Sequence, residues 1–301
     1  MKTKKITMNV SKKQNIVLLG NGICRCLGMN SCDDIIEQIR KENNPEVNPD
    51  IMNKLQFPQK IVVATNDHVD ENMQRLTKDM LESTYSEKDI GFLKQLIMNS
   101  PDVILTANYS TELEKAEYGK FTRYTYNQNT TIVADLRNSA EELGLNRYIP
   151  LMAGQNEKQL WHIHGNAMKP KSIVMGHYYY GKLLREIQEY IPKLMRRYHS
   201  AGHSNEHIMQ IKSWIDYFML CEVHIIGFSM DLAEVDLWWL LCCKKRHFPD
   251  SKVYFYEPDG KYIYQSEKEL LMKAYGVKII TDEKFTGDYR EFYLKSISMT
   301  E

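Results

Sequence analysis

Net charge of either sign is missing from this chain: 39 Lys and Arg balance 39 Asp and Glu among 301 residues. That excludes a nucleic-acid binder relying on bulk charge, though it leaves a local basic patch open. Also missing is any apolar run of the roughly 20 residues that a membrane-spanning helix needs. The opening stretch, Met1 to Lys13, is basic but holds no apolar core of signal-peptide length. It reads as a disordered tail over about 1–13. Cysteine is sparse. Cys24, Cys26, Cys32, Cys221, Cys242 and Cys243 include no pair in the CxxC spacing of a structural zinc site. They read as reduced thiols of a cytoplasmic protein, with no zinc expected. No Pro-, Gly- or Ser-rich linker divides the chain and no repeat is visible. A single domain over 1–301 is the expectation. With 43% hydrophobic residues, the chain can bury one large core.

What is present is an alternation of short apolar runs with amphipathic segments. Strands are expected at Asn15–Gly20, Lys60–Thr65, Asp102–Thr106, Leu160–His164, Ser172–Met175, Glu222–Gly227, Lys252–Tyr256 and Val277–Ile280. Two further strand candidates, FTRYTY and TTIVADL, lie in an ambiguous stretch from Tyr118 to Gln159. Helices are expected from Asp33, twice between Asn72 and Asn99 with Ser86 capping the second, from Thr111, and over Tyr179–His199, Glu206–Leu220, Ala233–Arg246 and Ser266–Tyr275. The pattern is α/β: a Rossmann-like, doubly wound, mostly parallel sheet with helices on both faces. A helical insertion occupies about 178–220.

Four motifs each follow a strand and open a turn. In a parallel sheet such turns share one edge, where ligands bind. Gly20-Asn21-Gly22 allows a tight turn and close backbone approach to a phosphate or ribose. It is not a full GxGxxG, since Arg25 stands at the third glycine position. Thr106-Ala107-Asn108-Tyr109 puts an Asn at a strand's carboxyl end, able to bind a ribose hydroxyl, fix a water, or simply cap the next helix. His162-Ile163-His164-Gly165 places two imidazoles on one strand face, with His164 at the end beside Gly165. Its ordinary pKa near 6.5 suits a general base; a structural histidine is the alternative. Gly227-Phe228-Ser229 offers close approach and a hydroxyl. Asp236, one turn into the next helix, either faces the cleft or serves the helix dipole. Gly176-His177 reads as a loop near the same place.

Taken together, the motifs resemble the sirtuin-like superfamily over about Asn15 to Tyr256. They look closest to proteins of the abortive-infection protein H (AbiH) type in bacterial phage defence. The residues that carry this are Gly20-Asn21-Gly22, Asn108 to Lys115, Ile163-His164-Gly165, Met175-Gly176-His177 and Ser229 to Asp236. The resemblance implies a Rossmann-like NAD-binding fold and cleavage of the nicotinamide–ribose bond, with Asn108 and His164 catalytic. Gly20, Asn21, Gly22, Thr106, Tyr109, Gly165, Gly227, Ser229 and Asp236 would then hold NAD. Sirtuin deacylases carry two CxxC pairs between the HG and GxS motifs. No cysteine lies between Cys32 and Cys221 here, so no metal is expected. A non-catalytic NAD or ADP-ribose sensor, or an ADP-ribosyl transferase, would use the same residues. Control through a homo-oligomer or a regulatory protein partner is open; a membrane partner is not expected.

Overall fold

Continuous apolar runs without polar alternation need cover on both faces. The computed structural model supplies it. It describes residues 6–29, 32–119 and 145–300, except 67, 70, 73–76, 78–79, 81–82, 154–155, 261–262 and 265. Asn15–Leu19 (β2), Val103–Thr106 (β3), Ile149–Ala153 (β4), Asn156–His162 (β5), Glu222–Ile226 (β7), Val253–Glu257 (β8) and Val277–Thr281 (β9) form one seven-stranded sheet. Thr7–Asn9 (β1) and Ile208–Gln210 (β6) form a separate antiparallel pair.

The sheet order is β4-β5-β3-β2-β7-β8-β9, parallel throughout except for the β4 edge. The chain runs outward from β2 through β3 to β5, returns to the other side at β7, and continues through β8 to β9. Chain direction therefore reverses between β2 and β7, the switch point at which doubly wound folds open a crevice. Successive β2 residues serve opposite faces. Ile16 and Leu18 join one core cluster with Ile187, Leu194, Trp214 and Phe218. Val17 and Leu19 join the other with Leu93, Leu96, Ile97 and Phe292.

The first core is covered by His177–Gly202 (α7), Trp214–Leu220 (α8) and Val235–His247 (α9), the second by Glu87–Asn99 (α5), Glu112–Tyr118 (α6) and Tyr289–Ser298 (α11). Glu267–Ala274 (α10) links β8 to β9. Gly22–Cys26 (α1) follows the first loop; Cys32–Asn43 (α2), Pro49–Met52 (α3) and Phe57–Thr65 (α4) build a third apolar layer that reaches Tyr109 and Ala167.

Several expectations change. Lys60–Thr65 is helical, inside α4. Pro58 sits in its first turn, Gln56 and Gln59 form a capping box, and Ile61, Ala64 and Thr65 are buried at helical spacing. These start signals override the β-branched run. Ser172–Met175 follows a 3₁₀ turn at Pro170–Ser172 and forms no strand. The single helix expected over Glu206–Leu220 is instead β6, then α8 capped by the Ser213 side chain. The tail is not wholly frayed, because β1 pairs with β6. FTRYTY and TTIVADL, and most of the first helix expected after Asn72, lie outside the described residues. Ser86 caps α5 as read, accepting from the Asp89 amide.

Candidate functional site

One hydrogen-bonded row, His162–Thr106–Leu19–Ile226–Tyr256, crosses the carboxyl ends of five strands. The residues just beyond it are the four motifs, so the register brings them to one edge. At the switch point the first and fourth loops touch. The Gly20 amide donates to the Ile226 carbonyl at 3.0 Å, and the Gly22 amide to that of Gly227 at 2.7 Å. A Cβ on Gly20 would lie 2.5 Å from the Gly227 oxygen, so this approach requires glycine. Above the junction opens a cleft of about 1110 Å³. That exceeds the roughly 300–1,000 Å³ of ordinary small-ligand sites and suits an extended, dinucleotide-sized ligand.

Asn21, Gly22, Asn108, Tyr109, His164, Gly227 and Ser229 line this cleft together, and Arg25 joins them. The other site residues named from sequence stand behind the wall. Gly20 makes the loop junction. Thr106 accepts the Asn108 amide on Oγ1 at 3.1 Å. Gly165 has φ +88 and packs so closely on the Ser172 carbonyl that a Cβ would collide. Asp236 is fully buried behind His164.

Asn108 is held through its side-chain NH2 and its backbone. Its Nδ2 donates to the Gly20 carbonyl at 3.3 Å, Cys24 Sγ at 3.2 Å and Glu112 Oε1 at 3.0 Å. Its own carbonyl accepts from His162 Nδ1 at 2.9 Å. It does not cap α6, whose N-cap is Thr111.

His164 is 2% exposed, and its Nε2 donates to Asp236 Oδ2 at 2.8 Å. A carboxylate only accepts, so Nε2 carries the hydrogen and Nδ1 is the nitrogen able to take a proton. Burial alone would lower the imidazole's pKa; Asp236, with Glu234 behind it, outweighs burial and raises it. Burial pushes the Glu234 carboxyl up, and Tyr180 from α7 donates to it at 3.0 Å while its ring packs edge-on to His164. Potential ligand atoms of His164, Glu234 and Asp236 lie within 4.8 Å of one another. The donor set is chemically able to hold a divalent cation, but all three side chains are already hydrogen-bonded within the protein.

His162 and His164 do not share a face, because β5 ends at His162 and the chain turns at Gly165. His162 points to Glu114, its Nε2 2.9 Å from Oε1, and Glu114 also accepts from Asn166 Nδ2 at 2.9 Å. Burial opposes the cation here too, but Glu114 raises the pKa of His162. Sequence reasoning missed Glu112, Glu114, Tyr180 and Glu257. The last lines the cleft, and burial moves its carboxyl to about 6. The signal for the two α6 glutamates was their spacing, four and six residues beyond Asn108.

A parallel sheet with this strand order, a switch-point cleft and glycine-built loops defines a doubly wound, Rossmann-like protein. The model of the SIR2-like domain family matches residues 102–280, more than half of the chain. The chain belongs to that family, within the sirtuin-like superfamily. The match starts beyond the first loop, so Gly20–Gly22 joins the site on geometry. No curated protein matches the chain. NAD binding or processing fits the family. Among the described residues no helix is long and apolar enough to cross a membrane.

Proposed function

We propose that this protein binds NAD in the switch-point cleft and hydrolyses its nicotinamide–ribose bond. The observation that carries the reading is that Asn108 and His164, 56 residues apart, line the same cleft, with His164 oriented by a buried carboxylate. Scission of that bond develops positive charge on the ribose and expels neutral nicotinamide, so no general acid is needed. Asn108 positions the attacking water or the ribose hydroxyls. His164 removes the proton through Nδ1, worth roughly 10²–10⁴-fold. Asp236 fixes its tautomer and stabilises the imidazolium. Gly22, Gly227 and Ser229 hold the diphosphate and adenosine ribose, with Arg25 as the nearby cation. No step calls for a metal.

The same reading extends to biology. Similarity to AbiH-type proteins over Asn108–Lys115 and Ser229–Asp236 supports a role in bacterial anti-phage defence, by depletion of NAD. A single sirtuin-like domain in the cytoplasm, controlled by oligomerisation or a partner, completes the proposal.

The test is incubation of purified protein with NAD, with chromatography for nicotinamide and ADP-ribose. The expected products are both, lost in Asn108→Ala and His164→Ala proteins that thermal melts show to be folded. A modified acceptor would identify a transferase. Binding without product would identify a sensor. Neither binding nor cleavage would overturn the NAD reading.

A further inference from the structure

We infer that Glu112 is a positioning residue that decides which end of the Asn108 amide faces the cleft. It makes Asn108 a hydrogen-bond acceptor toward the ligand, and never a donor. The two ends of an asparagine amide have nearly the same shape but opposite chemistry. A shape-filling pocket would not distinguish them; a carboxylate does.

The argument rests on acceptors. The Nδ2 end meets the Gly20 carbonyl oxygen and Glu112 Oε1 at 3.3 and 3.0 Å. Both can only accept. With the amide reversed, Oδ1 would face these two oxygens in a site where Glu112 is 1% exposed, and the low local dielectric would sharpen the repulsion. Glu112 is itself held: Ser110 Oγ donates to Oε2 at 2.6 Å, and Cys24 Sγ to Oε1 at 3.3 Å. It therefore cannot swing away to allow the flip. The Asn108 backbone is pinned as well, its amide on Thr106 Oγ1 and its carbonyl under His162 Nδ1. Glu114 in turn holds His162. Two buried glutamates from the first turn of α6 thus fix one cleft residue, one through its side chain and one through its backbone.

Of the polar atoms of Asn108, Oδ1 is the one left for the cleft that the residue lines. An oxygen there accepts from a hydroxyl or a water and repels phosphate and carboxylate. If the cleft holds NAD, the reading on which this substrate assignment rests, Oδ1 takes a proton donor at the reacting ribose: a ring hydroxyl or the attacking water.

The test compares Glu112→Gln with Glu112→Leu. Gln keeps an oxygen for Asn108 Nδ2 and turns its own NH2 to Ser110, which can accept. Leu keeps the bulk and removes the acceptor. With NAD, Glu112→Leu should lose about 10²-fold in kcat, the usual loss when one positioned polar group misses the transition state. Its KM should stay within about threefold, and Glu112→Gln should stay within about tenfold of wild type in kcat. A second readout needs no activity. The side-chain NH2 of Asn108, identified by its disappearance in Asn108→Asp, should exchange its hydrogens slowly in wild type and Glu112→Gln and fast in Glu112→Leu. Equal kcat in wild type and Glu112→Leu would overturn the inference. So would a wild-type NH2 that exchanges as fast as a surface asparagine's, and that measurement stands even if Glu112→Leu does not fold. A wild-type chain that keeps the slow NH2 but neither binds nor cleaves NAD would overturn the substrate reading and leave the amide orientation standing.

Discussion

Replacing Asp236 by Asn removes one charge from behind His164 and changes little in shape. The carboxylate is fully buried, and its Oδ2 accepts from His164 Nε2 at 2.8 Å. An Asn there has two choices. It can offer Oδ1 to the same N–H, keeping the tautomer but losing the charge. Or it can donate its NH2 to Nε2, which moves the hydrogen to Nδ1 and leaves no base toward the substrate. A hydrogen bond to a charged partner is worth about 1.5–3 kcal/mol, so kcat should fall roughly 10–10²-fold if the tautomer survives, and further if it does not. The pH profile carries a sign as well. His164 must be neutral to act, so activity rises with pH through its pKa. In wild type that limb lies above the ordinary value, because Asp236 outweighs burial. In Asp236→Asn burial remains and the carboxylate is gone, so the limb moves to lower pH. The assay is kcat/KM for NAD from about pH 5.5 to 9, with thermal melts to confirm folding. A variant with wild-type kcat and an unmoved limb would refute the dyad. A limb moved upward would refute the assignment of the base.

Three further predictions follow from the same contacts. Gly165→Ala would put a Cβ at φ +88 against the Ser172 carbonyl; a cost of about 1–3 kcal/mol is expected, with displacement of His164, read as a lower Tm and lost turnover. Wild-type stability would contradict the close packing. Lys244 Nζ donates to the carbonyls of Phe218, Met219 and Cys221 at 2.7, 3.0 and 2.7 Å. Lys244→Met takes the donor from the buried Phe218 and Met219 carbonyls, while Ser251 Oγ still donates to that of Cys221, and should destabilise by about 3 kcal/mol in urea unfolding; less than about 1 kcal/mol would mean water replaces the ammonium. His162→Gln removes a group whose folded pKa is raised. Such a group stabilises fully below its unfolded pKa of about 6.5 and loses that contribution as pH rises through the folded value. The stability gap between wild type and variant should therefore narrow as pH rises from 6; a gap that widens would mean that His162 is neutral in the folded protein.

The sheet was legible in the sequence because its strands are continuous apolar runs closed by glycine or polar turns: Asn15–Leu19, Val103–Thr106, Glu222–Ile226 and Val253–Glu257 each lie within one residue of the expected bounds at both ends or overrun them by a single turn residue. Parallel strands carry their carboxyl ends to one edge whatever their order, which is why four separated motifs could be assigned to it. Lys60–Thr65 misled because its composition favours strand while its start signals favour helix, and the helix puts Ile61 and Ala64 on one buried face, where a strand would send them to opposite ones. The residues that tune the site were harder to read. Asp236 reaches His164 across 72 positions, and Glu114 reaches His162 across 48. Periodicity fixes which face of its own helix a residue occupies, but not which residue of another element it meets. Asp236 at a helix start and Glu112 in an acidic first turn both satisfy ordinary helix rules, so nothing local marks them as more than that. What marks them is burial: a fully desolvated carboxylate persists only where donors surround it. In this protein Asn108 donates to Glu112 beside Ser110 and Cys24, and His164 donates to Asp236, so the two residues that the motifs had already singled out each serve one of these buried carboxylates.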